Sequence, residues 1–441
     1  MNKIKSLCKY VLIYIITVAI LLGLLVLAAK LPRDKIKANI KDSIEFYKEN
    51  DGIEILISRR DYSYVHYYAD AILLNIIYNI DEDKPLESVL WANYYETVKA
   101  DVNNDFIKVV EEDLKANQQY LRYWHGEIAM LSPLLIMFNM QQIYVINRVL
   151  LYGLVITLLV VLFIKNKKLA IIYLISMIMI AFPVVPLLFE YSWTFYIMLI
   201  VSILATLLEK RGNDILYKLF FITGIVTCYL DFLTTEIITV LVPLLFILYL
   251  RKEEGRLTNI KETIKFVMVT CILWFTGYAL MWGAKWLIAS LALGINALSY
   301  VTENALHRVN GLQGLESRDI IYKNVIWRNT HALYPINAVK KVSTVWKIYT
   351  GILFAMILSF DWKNIKKKWL ILIILGISLI PYIRYFILAN HSYMHSYFTF
   401  RSQMITIIGI GIIILECLNY KLLLKDINLK EIWRGKWKKS N

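Results

Sequence analysis

The stretch YVLIYIITVAILLGLLVLAA, residues 10–29, decides the fold class. It carries no charge and no proline, and a helix of about 20 residues rises about 30 Å, the thickness of a bilayer's hydrocarbon core. Within that core every backbone amide and carbonyl must be satisfied inside the segment, which a helix achieves. Met1-Asn2-Lys3-Ile4-Lys5 ahead of it resembles the start of a signal peptide. Yet the run is a full span, and Ala28-Ala29-Lys30 is a poor cleavage site. It reads as an uncleaved first transmembrane helix.

The rest of the chain repeats the theme. Of 441 residues, 58% are hydrophobic and 19% charged, the proportions of a membrane protein. Candidate spans fall near 10–29, 144–164, 169–188, 191–208, 215–231, 236–250, 263–282, 345–360, 369–388 and 402–420. The expected fold is therefore an all-α polytopic membrane protein of about ten transmembrane helices. Its parts are a first helix (1–29), a large helical extracytoplasmic loop (30–143), helices two to seven (144–282), an interfacial helix and outer loop (283–344), helices eight to ten (345–420) and a basic tail (421–441). Cys8, Cys228, Cys271 and Cys417 lie in or beside apolar runs, which excludes a disulfide framework and a cysteine-based metal site.

The formal charge of +15 is spread over short loops between spans, so it points to a membrane surface and not to nucleic acid. One alternating set of loops holds Lys165, Lys210, Arg251, Lys252, Arg256 and Lys363–Lys368, together with both ends of the chain. Lys and Arg concentrate on the cytoplasmic side. Ten spans place that whole set, and both termini, in the cytoplasm of a cell-membrane protein. Counting 283–300 as another span would invert everything after it. That stretch, with Lys285 and its tryptophans, is therefore read as interfacial or re-entrant.

The long loop carries three helical stripes: Leu73, Ile76, Ile77 and Ile80; Leu86, Val89, Leu90 and Tyr94; Phe106, Val109, Val110 and Leu114. Ile128 to Ile143, broken by Pro133, reads as a juxtamembrane helix. Asp70 lies three and four residues before Leu73 and Leu74, on the buried stripe. A carboxylate there can serve as a general base; it can equally be a first-turn acid favoured by the helix dipole.

Asp231 and Glu236 flank the turn Phe232-Leu233-Thr234-Thr235 between two spans, and Glu190 has a similar position. Acids near membrane depth face a cavity or a partner, or are solvated helix ends. His391 and His395, four apart, share a helix face, but the glutamate of HExxH is absent. Arg401 opens the last span, where a guanidinium can grip a phosphate or snorkel to the surface. The 301–344 loop carries Arg308, Arg318, Lys323, Arg328, Lys340 and Lys341 against Glu303, Glu316 and Asp319. That excess suits an anionic substrate, although long loops also translocate regardless of charge. No GxxxxGK[ST] or GxGxxG is present, so a standard nucleotide cradle is missing.

Four segments together resemble the GT-C class of polytopic glycosyltransferases, nearest to its uncharacterised bacterial members. They are Tyr68-Ala69-Asp70-Ala71-Ile72-Leu73-Leu74-Asn75, Arg122-Tyr123-Trp124-His125-Gly126 with Ser132-Pro133-Leu134-Leu135, Asp231-Phe232-Leu233-Thr234-Thr235, and His391 through Arg401. The resemblance implies a polyprenyl-phosphate-linked sugar donor and an envelope glycan, lipid or protein acceptor. It also implies an outer-face reaction and an acid in the first loop acting as base or as ligand of a divalent metal. Asp70 matches that acid. Relatives carry a further acid where this chain has Val65-His66-Tyr67, which leaves Asp61 as the other candidate. On this reading Asp70 deprotonates the acceptor. Arg401, Arg308 and His391 hold the donor phosphate, and Trp124, His125, Asp231 and His395 line the cavity. Two other readings stay open: a transporter or flippase for a lipid-linked or anionic solute, and a non-catalytic envelope-assembly protein. The first uses the same outer cationic groups without making bonds.

Overall fold

The computed structural model describes residues 2–50, 54–55, 64–98, 101–299, 318–336, 347, 351, 360 and 367–417. Arg308, Asp61, Lys340, Lys341, most of the expected 345–360 span and the tail from 421 lie outside those residues.

Among the described residues seven helices are long and apolar enough to cross a membrane: Leu7–Ala29, Met140–Lys165, Phe189–Arg211, Asn213–Leu230, Ile260–Leu293, Lys368–Ile387 and Ser396–Cys417. The chain is a helical, membrane-embedded protein. Two further expected spans take shorter forms. Lys167–Met179 is 13 residues and gives way to a 3-10 turn, Phe182–Leu187. Pro183 and Pro186 in that turn lack the amides an α-helix needs. Ile238–Glu253 is 16 residues, and each one from Ile238 to Arg251 is buried. A helix apolar all round belongs inside a bundle, and this one packs against Phe189–Leu208 and Met404–Cys417.

The 283–300 stretch is not a separate interfacial helix. Ile260–Leu293 runs unbroken for 34 residues, about 51 Å and some 20 Å more than a hydrocarbon core requires. It stops at Gly294, whose φ of 66° suits a left-handed C-cap. Its last turns rise past the bundle onto the short helix Pro85–Trp91. There Lys285, wholly buried, donates to the carbonyls of Leu90 (2.9 Å) and Val89 (3.3 Å). An ammonium at the carbonyl end of a helix is favourably placed.

Pro85–Trp91 belongs to a layer of short helices lying between the first two long ones in sequence: Arg33–Lys41, Ile44–Glu49, Tyr68–Tyr78, Pro85–Trp91, Val102–Glu112 and Ile128–Leu135. Most residues of the three expected stripes are buried in it, with Leu86, Tyr94 and Leu114 half-buried. Asn75 stitches the layer by bonding both backbone groups of Tyr95 (2.9 and 3.0 Å). Two short antiparallel strand pairs, Glu54–Ile55 with Tyr64–Val65 and Asn93–Tyr94 with Gln118–Gln119, complete it. Layer and bundle share one apolar core.

Among the described residues Asn213–Leu230 and Ile260–Leu293 pack along the most extensive helix contact. Gly224 faces the Trp274 carbonyl and Gly277 faces that of Phe221, each so near that a methyl group would overlap the oxygen. Small residues at such crossings let backbones meet in a membrane, where packing replaces the hydrophobic effect. Gly224→Leu is therefore expected to lower the unfolding midpoint of the detergent-purified protein by several degrees or to abolish its recovery. Gly283→Leu, on the same long helix with open space around it, is expected to leave the midpoint within a degree or so. Equal behaviour of the two variants would contradict the crossing.

Candidate functional site

Phe189–Leu208 starts after an extended Leu188 and has no cap from its own N-terminal neighbour. Its cap arrives from far away in sequence. Asp70 Oδ2 accepts from the Phe189 amide (3.0 Å) and the Tyr144 hydroxyl (2.8 Å), and Oδ1 accepts from the Glu190 amide (3.2 Å). A carboxylate across the free amides of a first helical turn satisfies donors that nothing in the helix can satisfy. Tyr47 bonds the Tyr144 hydroxyl in turn (3.0 Å). Burial pushes the Asp70 carboxyl up to about 6 despite these three donors.

A second device shapes the turn at 231–235. Asp231 Oδ2 accepts from the Leu233 amide (2.9 Å), and Oδ1 from the amide and hydroxyl of Thr234 (2.9 and 2.7 Å). That is the side-chain-to-backbone turn Asp favours, and it holds Leu233 at φ 64°. Burial, then the nearby Glu236 charge, pushes Asp231 up to about 7. The Leu233 carbonyl accepts from Arg384 Nη2 (2.6 Å) and lies 2.9 Å from His391 Nε2. Arg384 also makes a two-pronged, buried ion pair with Glu236 (2.5 and 2.8 Å).

Around these anchors opens a cavity of about 90 Å³. Its polar wall is Glu190, His125, His391 and His395; Tyr68, Tyr123, Phe232, Tyr397 and Phe398 supply flat aromatic faces. The two imidazoles expected to share a helix face have ring centres 4.7 Å apart, and His395 stacks on Phe398 with its Nδ1 3.0 Å from the Tyr397 hydroxyl. His125 Nε2 lies 2.9 Å from the Tyr120 carbonyl, while its buried Nδ1 has no hydrogen-bond partner. Burial pushes this imidazole down to about 3, so at neutral pH it is uncharged, with Nε2 the donor and Nδ1 the acceptor. Glu190 Oε2 is also buried without a hydrogen-bond partner. Arg401, 1% exposed, interacts electrostatically with Glu190 and lies on the rings of Tyr191 (4.5 Å) and Phe400 (4.7 Å). Its Nη1 donates to the Tyr397 carbonyl (2.9 Å), while Nε and Nη2 have no hydrogen-bond partner.

The structure thus brings His125, His391 and His395 to one cavity. Asp70 is not on its wall; it holds the start of the helix that presents Glu190. Asp231 shapes the turn that presents Phe232. Trp124 is buried beneath, donating from its indole to the Met281 carbonyl (2.8 Å). Among the described residues no group of three His, Cys, Asp or Glu is arranged around a metal position. Glu190 and Arg384 are the polar groups whose importance position alone understates. An arginine inside the apolar run 369–388 was the available signal for Arg384, because a cation at that depth needs a partner.

A second cavity, about 680 Å³ and almost wholly apolar, lies between Met140–Lys165, Phe189–Leu208 and Asn213–Leu230. Phe189, Trp193, Ile197 and Leu150 line it. Met130, Leu150, Ile200 and Leu204 on its wall are exposed, so it is a lateral groove. Adjacent residues of one helix therefore serve both cavities: Phe189 the groove and Glu190 the polar chamber.

No protein-family model, curated protein or solved structure matches the chain.

Because the Asp70 carboxyl titrates higher folded than in an unfolded chain, where it sits near 4, the folded state binds the extra proton between these values. Its contribution to stability is therefore greatest below about pH 4 and is lost as pH rises through about 6. The unfolding midpoint of Asp70→Asn is expected to fall less than that of the wild type between pH 4.5 and 7.5. Parallel curves would show that Asp70 does not titrate as described.

Proposed function

We propose that the chain is a GT-C-like glycosyltransferase that crosses the membrane about ten times. It moves a sugar from a polyprenyl-phosphate-linked donor to an envelope acceptor on the outer face. The observation that carries the reading is the meeting of a carboxylate lacking a hydrogen-bond partner on one oxygen and three imidazoles at one chamber, with the buried Arg401 guanidinium, not itself on the wall, interacting electrostatically with that carboxylate, next to a lateral apolar groove.

The arrangement of polar groups favours this topology. Of the five alternating segments that the loop-charge reading puts outside (30–143, 189–190, 232–235, 301–344 and 389–401), all but 301–344 contribute to the chamber wall. The basic segments assigned to the cytoplasm meet at the opposite helix ends. Lys210 pairs with Glu254, Lys9 with Asp214, and Lys367 bonds the Leu257 carbonyl. Seven long helices and the two shorter ones supply nine of the ten proposed crossings, with both termini cytoplasmic and the short-helix layer outside; the tenth, expected at 345–360, lies outside the described residues.

The chemistry is a displacement at the sugar's anomeric carbon. An acceptor hydroxyl oxygen forms the new bond, the bond to the donor phosphate breaks, and the lipid phosphate departs with the electron pair. Glu190 takes the hydroxyl proton, a role that needs a carboxylate at hydrogen-bond reach of the substrate. Asp70, the acid the family resemblance marks, acts by positioning Glu190. Arg401 and His391 face the charge growing on the leaving phosphate, where pre-placed donors act most strongly. Aromatic side chains stack on the sugar's apolar face, and the groove takes the isoprenoid chain.

The test is transfer of label from a radiolabelled undecaprenyl-phosphate hexose, using purified protein in liposomes and membranes lacking the protein as acceptor. Wild type is expected to move label out of the lipid fraction. Glu190→Gln should be slower by about 100-fold or more, with donor binding retained. Label that crosses the bilayer still attached to its lipid would favour a transporter. Wild-type transfer by Glu190→Gln would remove that residue from the reaction.

A further inference from the structure

A second polar cavity, about 360 Å³, lies at the far end of the bundle. Glu190 stands at one end of Phe189–Leu208 and this cavity begins at Glu209, about 30 Å further along the helix axis. It is bounded by the starts of two long helices and by the C-terminal turn of the buried Ile238–Glu253. Lys210, Arg251 and Arg256 line it against two carboxylates, Glu209 and Glu262. Glu209 is 1% exposed and already committed to Arg256.

Arg251 is the informative group. It is 8% exposed and its guanidinium lies 4.3 Å from the Phe266 ring centre. Its Nη2 reaches the Glu209 carbonyl only at 3.4 Å, and its Nε stands 3.9 Å from the Glu209 carboxylate. The second distance is an ion pair too long to be a hydrogen bond, and that buried Nε has no hydrogen-bond partner. Leaving a buried charged donor unmade is costly. Beside it, Asn213–Leu230 begins at Gly212, which has no side chain to cap the first-turn amides. A guanidinium with one unspent donor and an uncapped helix start therefore border one cavity, whose other cations, Lys210 and Arg256, are paired with Glu254 and Glu209. Helix starts favour anions, and guanidinium suits tetrahedral oxyanions.

We infer that this cavity binds a phosphate group, between Arg251, Arg256 and the start of Asn213–Leu230. The cavity lies where two candidate spans turn around, at headgroup depth, so an anionic phospholipid and free phosphate are the two sources of that chemistry. The site is independent of the sugar-transfer reading, because it shares no residue with the chamber at Glu190.

The experiment follows the unfolding midpoint of the detergent-purified full chain during titration with phosphatidylglycerol micelles, phosphatidylcholine micelles or inorganic phosphate. A saturable rise is expected with phosphatidylglycerol or with inorganic phosphate, and the arm that gives it names the source. Arg251→Gln should weaken the apparent affinity at least tenfold. Should that variant fail to fold, Arg251→Lys, which keeps the charge and loses the Nε donor, should weaken it at least threefold. No rise in either anionic arm, an equal rise with phosphatidylcholine, or an unchanged response in the variant that folds would overturn the assignment.

Discussion

The carboxylate of Asp70 lies across the first amides of Phe189–Leu208, and the rest of the arrangement depends on that contact. It joins the layer of short helices to the bundle at one buried point. It also fixes the rotation of the helix that carries Phe189 into the apolar groove and Glu190 into the polar chamber. Three donors surround it, which is why a charge-bearing group can sit at 3% exposure. Removing one partner of such a buried set costs more than the set adds, so the geometry is held firmly.

The two ends of the bundle differ in what they do with charge. At the chamber end the acids and cations are buried and few, and several are tied to backbone: Asp231 to its own turn, Arg384 to Leu233 as well as Glu236, Arg401 to Tyr397. Three of the polar groups there keep capacity unspent: Glu190, His125 and Arg401. At the other end the charges are numerous and mostly exposed, pairing with one another as in Lys210–Glu254 and Lys218–Asp214. Exposed pairs of that kind add little stability. Arg251 and Glu209 stand apart from them by being buried.

Much of this was legible in the apolar runs, because a helix that must satisfy its own backbone in lipid announces itself by length. What hydropathy could not distinguish was helix from tight turn within one run, so 169–188 became a helix, a 3-10 turn around Pro183 and Pro186, and the extended Leu188 that precedes the next helix. Lys285 suggested a headgroup position; it finds instead the carbonyl end of Pro85–Trp91, a partner some 195 residues away that no local pattern names. Asp70 was readable as buried from its place on the Leu73 stripe. Its partner was not, since Phe189 is 119 residues distant. The imidazole pair was readable from its spacing of four. That Glu190 would outrank Asp70 on the chamber wall depends on which side of Leu188 the helix begins, which sequence leaves open.

Hydrogen exchange measured by mass spectrometry across residues 182–195 tests the central contact most directly. In the wild type the amides of Phe189 and Glu190 should exchange slowly, and in Asp70→Ala they should exchange much faster while Met140–Lys165 and Ile238–Glu253 keep their protection. Unchanged protection at 189–190 without the Asp70 carboxylate would contradict the account.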